Sequence, residues 1–320
     1  MTRALPPALA HLALPVIAAP LFIISNPDLV IAQCKAGVVG SFPALNARPA
    51  HVLDEWLTRI ETELADHNAR HPERPAAPFA VNQIVHRSNE RLAHDLEVCA
   101  RHRVPITITS LGAREEVNRT AHDYGGIVLH DVINATFARK ALDKGADGLI
   151  LVAAGAGGHA GAVSPFALVA EVRAFFDGPV ALSGAIATGD AVLAAQAMGA
   201  DFAYVGSAFI ATAEANARDG HKQMIVEGSA TDIVYTDFFS GVLANFLRGS
   251  IVRAGLDPDN LPRGERAKMN IGGDEARVWR DIWSAGHGIG AVKEVVPAAG
   301  VVARLAREYR AARARLGLAP

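Results

Sequence analysis

Between residues 14 and about 210, short apolar runs rich in β-branched residues alternate with longer amphipathic stretches. That alternation is the mark of βα units around a parallel sheet. Eight runs read as strands: LPVIAA (14–19), VVGSF (38–42), FAVNQI (79–84), PITITS (105–110), GIVLHDV (126–132), GLILVAA (148–154), PVALSGA (179–185) and FAYVGSAF (202–209). The helical stretches between them carry their own punctuation. In NPDLVIAQCKAG, Asn26 is placed to cap, Pro27 takes the first helical position and Gly37 stops the helix; GDAVLAAQAMGA stops in the same way at Gly199. KGADG (144–148) and MGADF (198–202) repeat one helix-to-strand turn. Eight strands with eight crossovers predict an α/β fold, a closed (β/α)8 barrel, with an open doubly wound sheet as the alternative.

The period breaks after residue 210. The stretch 212–255 reads as helices around an aromatic-rich turn, and a polar segment, LDPDNLPRGERAKMNIGGDEA, follows. A last helix with apolar Val301, Val302, Leu305 and Tyr309 on one face is expected to return and pack on the barrel. Residues 1–214 plus 291–320 would then form the barrel, and 215–290 a smaller, inserted helical lid domain.

Composition narrows the chemistry. The chain has 320 residues, half of them apolar, and a net charge of −2 without a basic stripe, which argues against nucleic acid or an anionic membrane as partners. Cys34 and Cys99 fall within predicted helices and in no metal-spaced motif, so buried thiols in a reducing compartment are expected. The apolar start is interrupted by Pro6, Pro7, Pro15 and Pro20, and no segment approaches the ~18 continuous apolar residues of a membrane span. A soluble, cytoplasmic protein is expected.

In such a barrel the site lies at the carboxyl ends of the strands, with phosphate commonly held after strands seven and eight. Those ends read LSGAIATGD and YVGSAF. Gly184, Ala185 and Gly206 allow backbone N–H groups close to an anion, and Ser183 and Ser207 add hydroxyls; small residues chosen for tight turns are the plainer explanation. After strand six stands GAGGHAG (155–161). A dinucleotide fingerprint fails there, because residue 160 is Ala and the strand is the sixth, so the loop reads as cleared backbone that places His159 at the mouth. A surface-loop histidine is its alternative. Asn82 ends strand three, where its amide could meet a planar heterocycle, and His130 with Asp131 makes a second polar pair after strand five. No lysine falls at a strand end, and one carboxylate is too few for a magnesium site, so neither Schiff-base nor metal chemistry is expected. A cofactor bringing its own reactivity, a phosphorylated flavin, fits these absences.

PVIAAPLF, FAVNQ, ADGLILVAAGAGGHAG, LSGAIATGDAVLAAQAMGADFAYVGSAFIAT and WRDIWSAGHGIG together resemble the nitronate monooxygenase (2-nitropropane dioxygenase) family over nearly the whole chain. The resemblance implies a barrel holding FMN without a covalent link and a substrate domain above it. By carry-over, Ala19, Pro20 and Leu21 would line the flavin with backbone and Asn82 would contact its polar edge, with His130 and Gly158 beside it. Ser183, Gly184, Ala185, Gly206 and Ser207 would hold the phosphate, and His159 would be the catalytic base. Some relatives place a lysine after strand five, where this chain has His130 and Asp131. The implied reaction converts an alkyl nitronate and O2 to a carbonyl compound and nitrite; assembly as a homodimer is compatible with it. An FMN-dependent NAD(P)H:quinone or enoyl-thioester reductase is the alternative within the group, and a flavin-free sugar-phosphate barrel the alternative outside it. YTDFFSGVLANFL (235–247), Trp279 and Trp283 would make either an aromatic roof for a small alkyl group or quinone, or the lid's own core.

Overall fold

The computed structural model describes residues 5–264 and 281–318. Its strands, in chain order, begin β1 (Val16–Ala18), β2 (Gly40–Pro43), β3 (Phe79–Ile84), β4 (Ile106–Ser110), β5 (Ile127–Val132) and β6 (Gly148–Val152). A two-residue strand, β7 (Gly158–His159), precedes β8 (Val180–Ser183) and β9 (Phe202–Val205). Apart from β7 these pair in parallel in the order β1-β9-β8-β6-β5-β4-β3-β2. A parallel bridge from Ile17 to Val39 closes the ring, so the barrel is the observed fold and the open sheet is not. All eight expected strands are present, seven within their predicted runs and β2 one residue past the end of its own, at Pro43.

The punctuation works as its chemistry requires. The Asn26 side chain accepts from the Leu29 N–H at 2.9 Å at the start of helix Pro27–Lys35. The two repeated turns build one device twice. Gly145 and Gly199 both take positive φ, +88° and +111°, which stops each helix. Two residues on, Asp147 accepts from the Val128 N–H at 2.7 Å and Asp201 from the Val180 N–H at 2.8 Å. Each aspartate thus ties the start of its strand to the neighbouring one, which fixes the register of β5 with β6 and of β8 with β9.

Residues inside the barrel share one phase. Ile17, Ala80, Ile106, Ile108, Leu129, Ile150, Ala181 and Phe202 form the apolar interior, and Leu9 from the amino-terminal segment packs into the same cluster. One step further towards the carboxyl ends, the period-two rule turns Ala19, Asn82, Ser110, Asp131, Val152, Ser183 and Tyr204 inward. The interior therefore changes from apolar to polar at the level where a site is expected. The C-terminal helix Ala298–Arg315 returns as anticipated and buries Val301, Val302 and Leu305 against the barrel's outer layer.

The insertion differs from a purely helical lid. Helices Asp219–Glu227 and Arg248–Arg253 flank two strands, β10 (Ile233–Thr236) and β11 (Ala244–Leu247). These pair antiparallel, and β11 pairs antiparallel with β7 of the GAGGHAG loop, opposing Ala244 to His159 and Asn245 to Gly158. IVYT and ANFL carry the β-branched and aromatic residues that suit a half-buried sheet, a signal the flanking helical pattern masked.

Candidate active site

All twelve residues singled out from sequence line one cavity of about 1410 Å³ at the carboxyl ends of the strands. Ala19, Pro20 and Leu21 approach from the end of β1, Asn82 from β3, His130 from β5, and Gly158 with His159 from β7. Ser183, Gly184 and Ala185 follow β8, while Gly206 and Ser207 follow β9.

His159 is fixed by its neighbours. Its Nε2 lies 2.9 Å from Ser240 Oγ, whose own proton goes to the Val242 carbonyl at 3.1 Å. The serine thus joins the imidazole to the 240–242 turn of the insertion. Burial lowers the imidazole pKa to about 4, so the ring is neutral at neutral pH. The loop around it is held from the insertion: Asn245 donates to the Ala156 carbonyl at 2.6 Å and Tyr235 to the Ala160 carbonyl at 2.8 Å.

The glycines of this loop have separate duties. Gly155 and Gly158 take positive φ, +86° and +66°. At Gly157 a Cβ would lie 2.8 Å from the Gly286 nitrogen and 2.9 Å from the Ala285 carbonyl carbon, so backbone passes backbone where no side chain fits. The cleared backbone makes room for the 285–287 segment of the same chain, and this contact holds the loop in place.

Around the expected phosphate cup, Gly184 and Ala185 both adopt positive φ, +143° and +56°. For alanine that conformation costs on the order of 1–2 kcal/mol, and the surroundings enforce it. The Ala185 N–H donates to the Gly155 carbonyl at 3.2 Å, and Ser207 Oγ accepts from the Gly286 N–H at 2.8 Å. Ser207 keeps its own proton to donate. The lysines lining the cavity, Lys140 and Lys144, belong to the helix after β5 and the turn that ends it.

Asn82 donates through Nδ2 to Ile108 O at 3.2 Å and Ser110 Oγ at 2.7 Å, which leaves its amide oxygen for a ligand N–H. Ser110 in turn donates to Asp131 Oδ2 at 2.6 Å. His130 lines the cavity but sits in the outward phase of β5, between Val128 and Val132, and its Nδ1 pairs with Thr109 Oγ1 of β4. Burial lowers its pKa to about 4. The inward group on β5 is thus Asp131, and His130 stands beside it in the lining. Sequence reasoning passed over Ser110, Tyr204, Ser240 and Asn245. For Ser110 and Tyr204 strand parity was the available signal; for the other two, 81 and 89 residues from their loop partners, about 270–320 Å of extended chain could not be read without the fold.

The aromatic stretch 235–247 divides. Phe239 and Phe246 pack edge to face at 4.9 Å within the insertion's own core, and Tyr235 is the aromatic of that stretch lining the cavity. Trp283 stacks on His221 at 5.0 Å, away from the cavity lining; Trp279 lies outside the described residues. Among the described residues no cluster of His, Cys, Asp or Glu could hold a metal, and no helix is long and apolar enough to cross a membrane.

The family model for nitronate monooxygenases matches residues 6–308. The chain belongs to the nitronate monooxygenase family. A nitronate monooxygenase of Paraburkholderia phytofirmans is 26% identical, the match covering 92% of each chain. A Mycobacterium tuberculosis enzyme named as a substituted octahydroindene-4-carboxyl-CoA dehydrogenase is 25% identical over 84% of this chain and 72% of its own. The structure of a nitroalkane oxidase from Streptomyces ansochromogenes superposes with a TM-score of 0.80 at 24% identity, covering 97% of this chain and 99% of that one, and bears out the barrel. As a nitronate monooxygenase family member the chain is a flavin-dependent oxidoreductase.

Proposed function

We propose that the chain is an FMN-dependent nitronate monooxygenase that converts an alkyl nitronate and O2 to a carbonyl compound and nitrite. The observation that carries this reading is a neutral imidazole, His159, set at the mouth of a large cavity and paired through Nε2 with Ser240. The cavity suits FMN in three respects: a cradle of small residues at 183–185 and 206–207, backbone of residues 19–21, and buried acceptors on the floor. Bound there, FMN would take electrons from the substrate and pass them to oxygen.

The protein's own groups do the rest. The neutral His159 imidazole accepts the acidic proton beside a nitro group, forming the nitronate in place. The imidazolium so formed pairs with the anion, and this charge offsets the burial that otherwise keeps the ring neutral. Tyr235, Val242 and Leu243 from the insertion border the cavity and give its rim an apolar side. Protein purified with the cofactor should be yellow. Replacing His159→Asn should lower turnover of neutral nitroalkanes by about 10²–10⁴-fold and of preformed nitronates far less. Equal losses on both would remove the general-base role.

A second reading rests on size. The cavity of about 1410 Å³ exceeds the roughly 300–1,000 Å³ of an ordinary ligand site, enough for a thioester's acyl group beside the flavin. Anaerobic mixing separates the two: bleaching of the flavin by NADH and not by nitronate would make the protein a reductase.

A further inference from the structure

Two buried polar atoms on the cavity floor, Asp131 Oδ1 and Tyr204 Oη, have no hydrogen-bond partner among the described residues. Both belong to the inward phase of the barrel and both line the cavity. The relay beneath them has a defined direction. Asn82 donates to Ser110 at 2.7 Å, and Ser110 spends its single proton on Asp131 Oδ2 at 2.6 Å. Oδ2 is therefore an acceptor, and any proton on this carboxyl resides on Oδ1, the atom left for a ligand. β3 and β4 stand across the mouth from β8 and β9, which carry the cup, while β5 stands beside β4 and is separated from β8 by β6. A molecule anchored at the cup and spanning the mouth meets Asn82 at its far end and Asp131 along its flank.

Resting on the flavin reading above, we propose that Asp131 is a positioning residue for the charge of the bound cofactor: when the ring is reduced, Asp131 Oδ1 takes up a proton from solvent and donates it to the ring as a hydrogen bond. The balance is simple. With Asp131 ionised, two electrons from the nitronate, or from dithionite in a test, enter together with two protons, one to the ring and one to Oδ1. With an amide at 131, two electrons bring one proton.

Burial alone pushes the Asp131 carboxyl up to about 7, against the lowering effect of the Ser110 hydrogen bond. The facing group that feels its charge is Tyr204 on β9, whose phenol burial and Asp131 both push upward. His159 on β7 and His221 on helix Asp219–Glu227 line the same cavity and are kept neutral by burial, as is His130 on the far face of β5. The remaining charged groups of the lining are Lys140, Asp143 and Lys144 beyond β5 and Asp237 of the insertion, with His86 after β3.

The test is the midpoint potential of the FMN-loaded protein against pH, by reductive titration of wild type and Asp131→Asn. Below neutrality the two lines should run together. Above about pH 7 the wild-type line should fall more steeply by one proton per two electrons, about 30 mV per pH unit, so that Asp131→Asn becomes the easier protein to reduce, tenfold for each further pH unit. Ser110→Ala, which removes the donor to Oδ2, should move the divergence to higher pH. Superimposed lines in two proteins that both bind FMN would overturn the proposal and leave the flavin reading standing. A wild-type slope of one proton throughout would do the same without any variant. Failure of the unmodified apoprotein to take up FMN would overturn the flavin reading and this proposal with it.

Discussion

The contact between the GAGGHAG loop and the 285–287 segment can be tested with one methyl group. In Gly286→Ala the new Cβ would stand 2.5 Å from the Gly155 carbonyl oxygen, 2.8 Å from the Gly157 nitrogen and 3.2 Å from the Ala156 carbonyl carbon. Comfortable carbon contacts are about 3.5–4.0 Å, so the segments must part by several tenths of an ångström to 1 Å. All three neighbours are backbone, and the segment is tethered on both sides: the Gly286 N–H to Ser207 Oγ at 2.8 Å and the His287 N–H to the Gly155 carbonyl at 2.9 Å. Overpacking of this kind costs about 1–3 kcal/mol, a fall in Tm of roughly 1.5–4.5 °C for a chain of this size. Because the displaced loop carries His159, activity should fall further than stability, by up to about 10²-fold. Gly290→Ala is the control. Four residues along, its Cβ would meet Ser229 Cα at 3.9 Å, an ordinary contact, and stability should stay within about 0.5 kcal/mol. Thermal melts followed by circular dichroism, with nitronate turnover on the same samples, decide the matter. Equal effects of the two alanines, or none from Gly286→Ala, would refute the steric argument.

Two further outcomes follow from buried titratable groups. His130, His159 and His221 sit near pKa 4 in the folded protein against 6.5 unfolded, so the unfolded chain takes up protons first and stability should fall as pH drops from 6.5 towards 4. In urea unfolding at pH 7 and pH 5, His221→Gln should lose less stability than wild type; parallel losses would sink the assignment for His221. Burial raises the Cys34 and Cys99 thiols to about 12, so neither should react with a thiol reagent at pH 8 until urea unfolds the chain. Prompt labelling of the native protein would contradict that burial.

The barrel was legible because its signals are local and repeated. Strand runs, caps and the doubled GAD turn each declare themselves within a dozen residues, and their count sets the closure. That residues 183–185 and 206–207 share one cavity with His159 was legible from position alone, as strand-end residues of a known architecture. His130 was not, since choosing between His130 and Asp131 requires the phase of β5, which neighbours such as Leu129 settle only when the barrel's inside is known. The β10–β11 sheet escaped for a different reason: its third strand, β7, is supplied from 75 residues and more away, within a glycine loop with no strand propensity of its own.

That remote pairing alters what the insertion does. A lid that merely covers a cavity could be exchanged without touching the chemistry below. Here the insertion supplies the Ser240 contact to His159, the Asn245 and Tyr235 donors to residues 156 and 160, and the β11 edge against which residues 158 and 159 lie. Further along, Gly286 ties the same region to Ser207 of the cup. The barrel contributes a histidine on a loop tied to β6 through the Gly161 N–H and the Val152 carbonyl, and the insertion adds the β11 edge beside it. On the proposed reading of His159 as the base, a change in β11 or in 238–243 made to admit a larger substrate also disturbs the Ser240 contact with His159, so substrate range and proton transfer are expected to shift together.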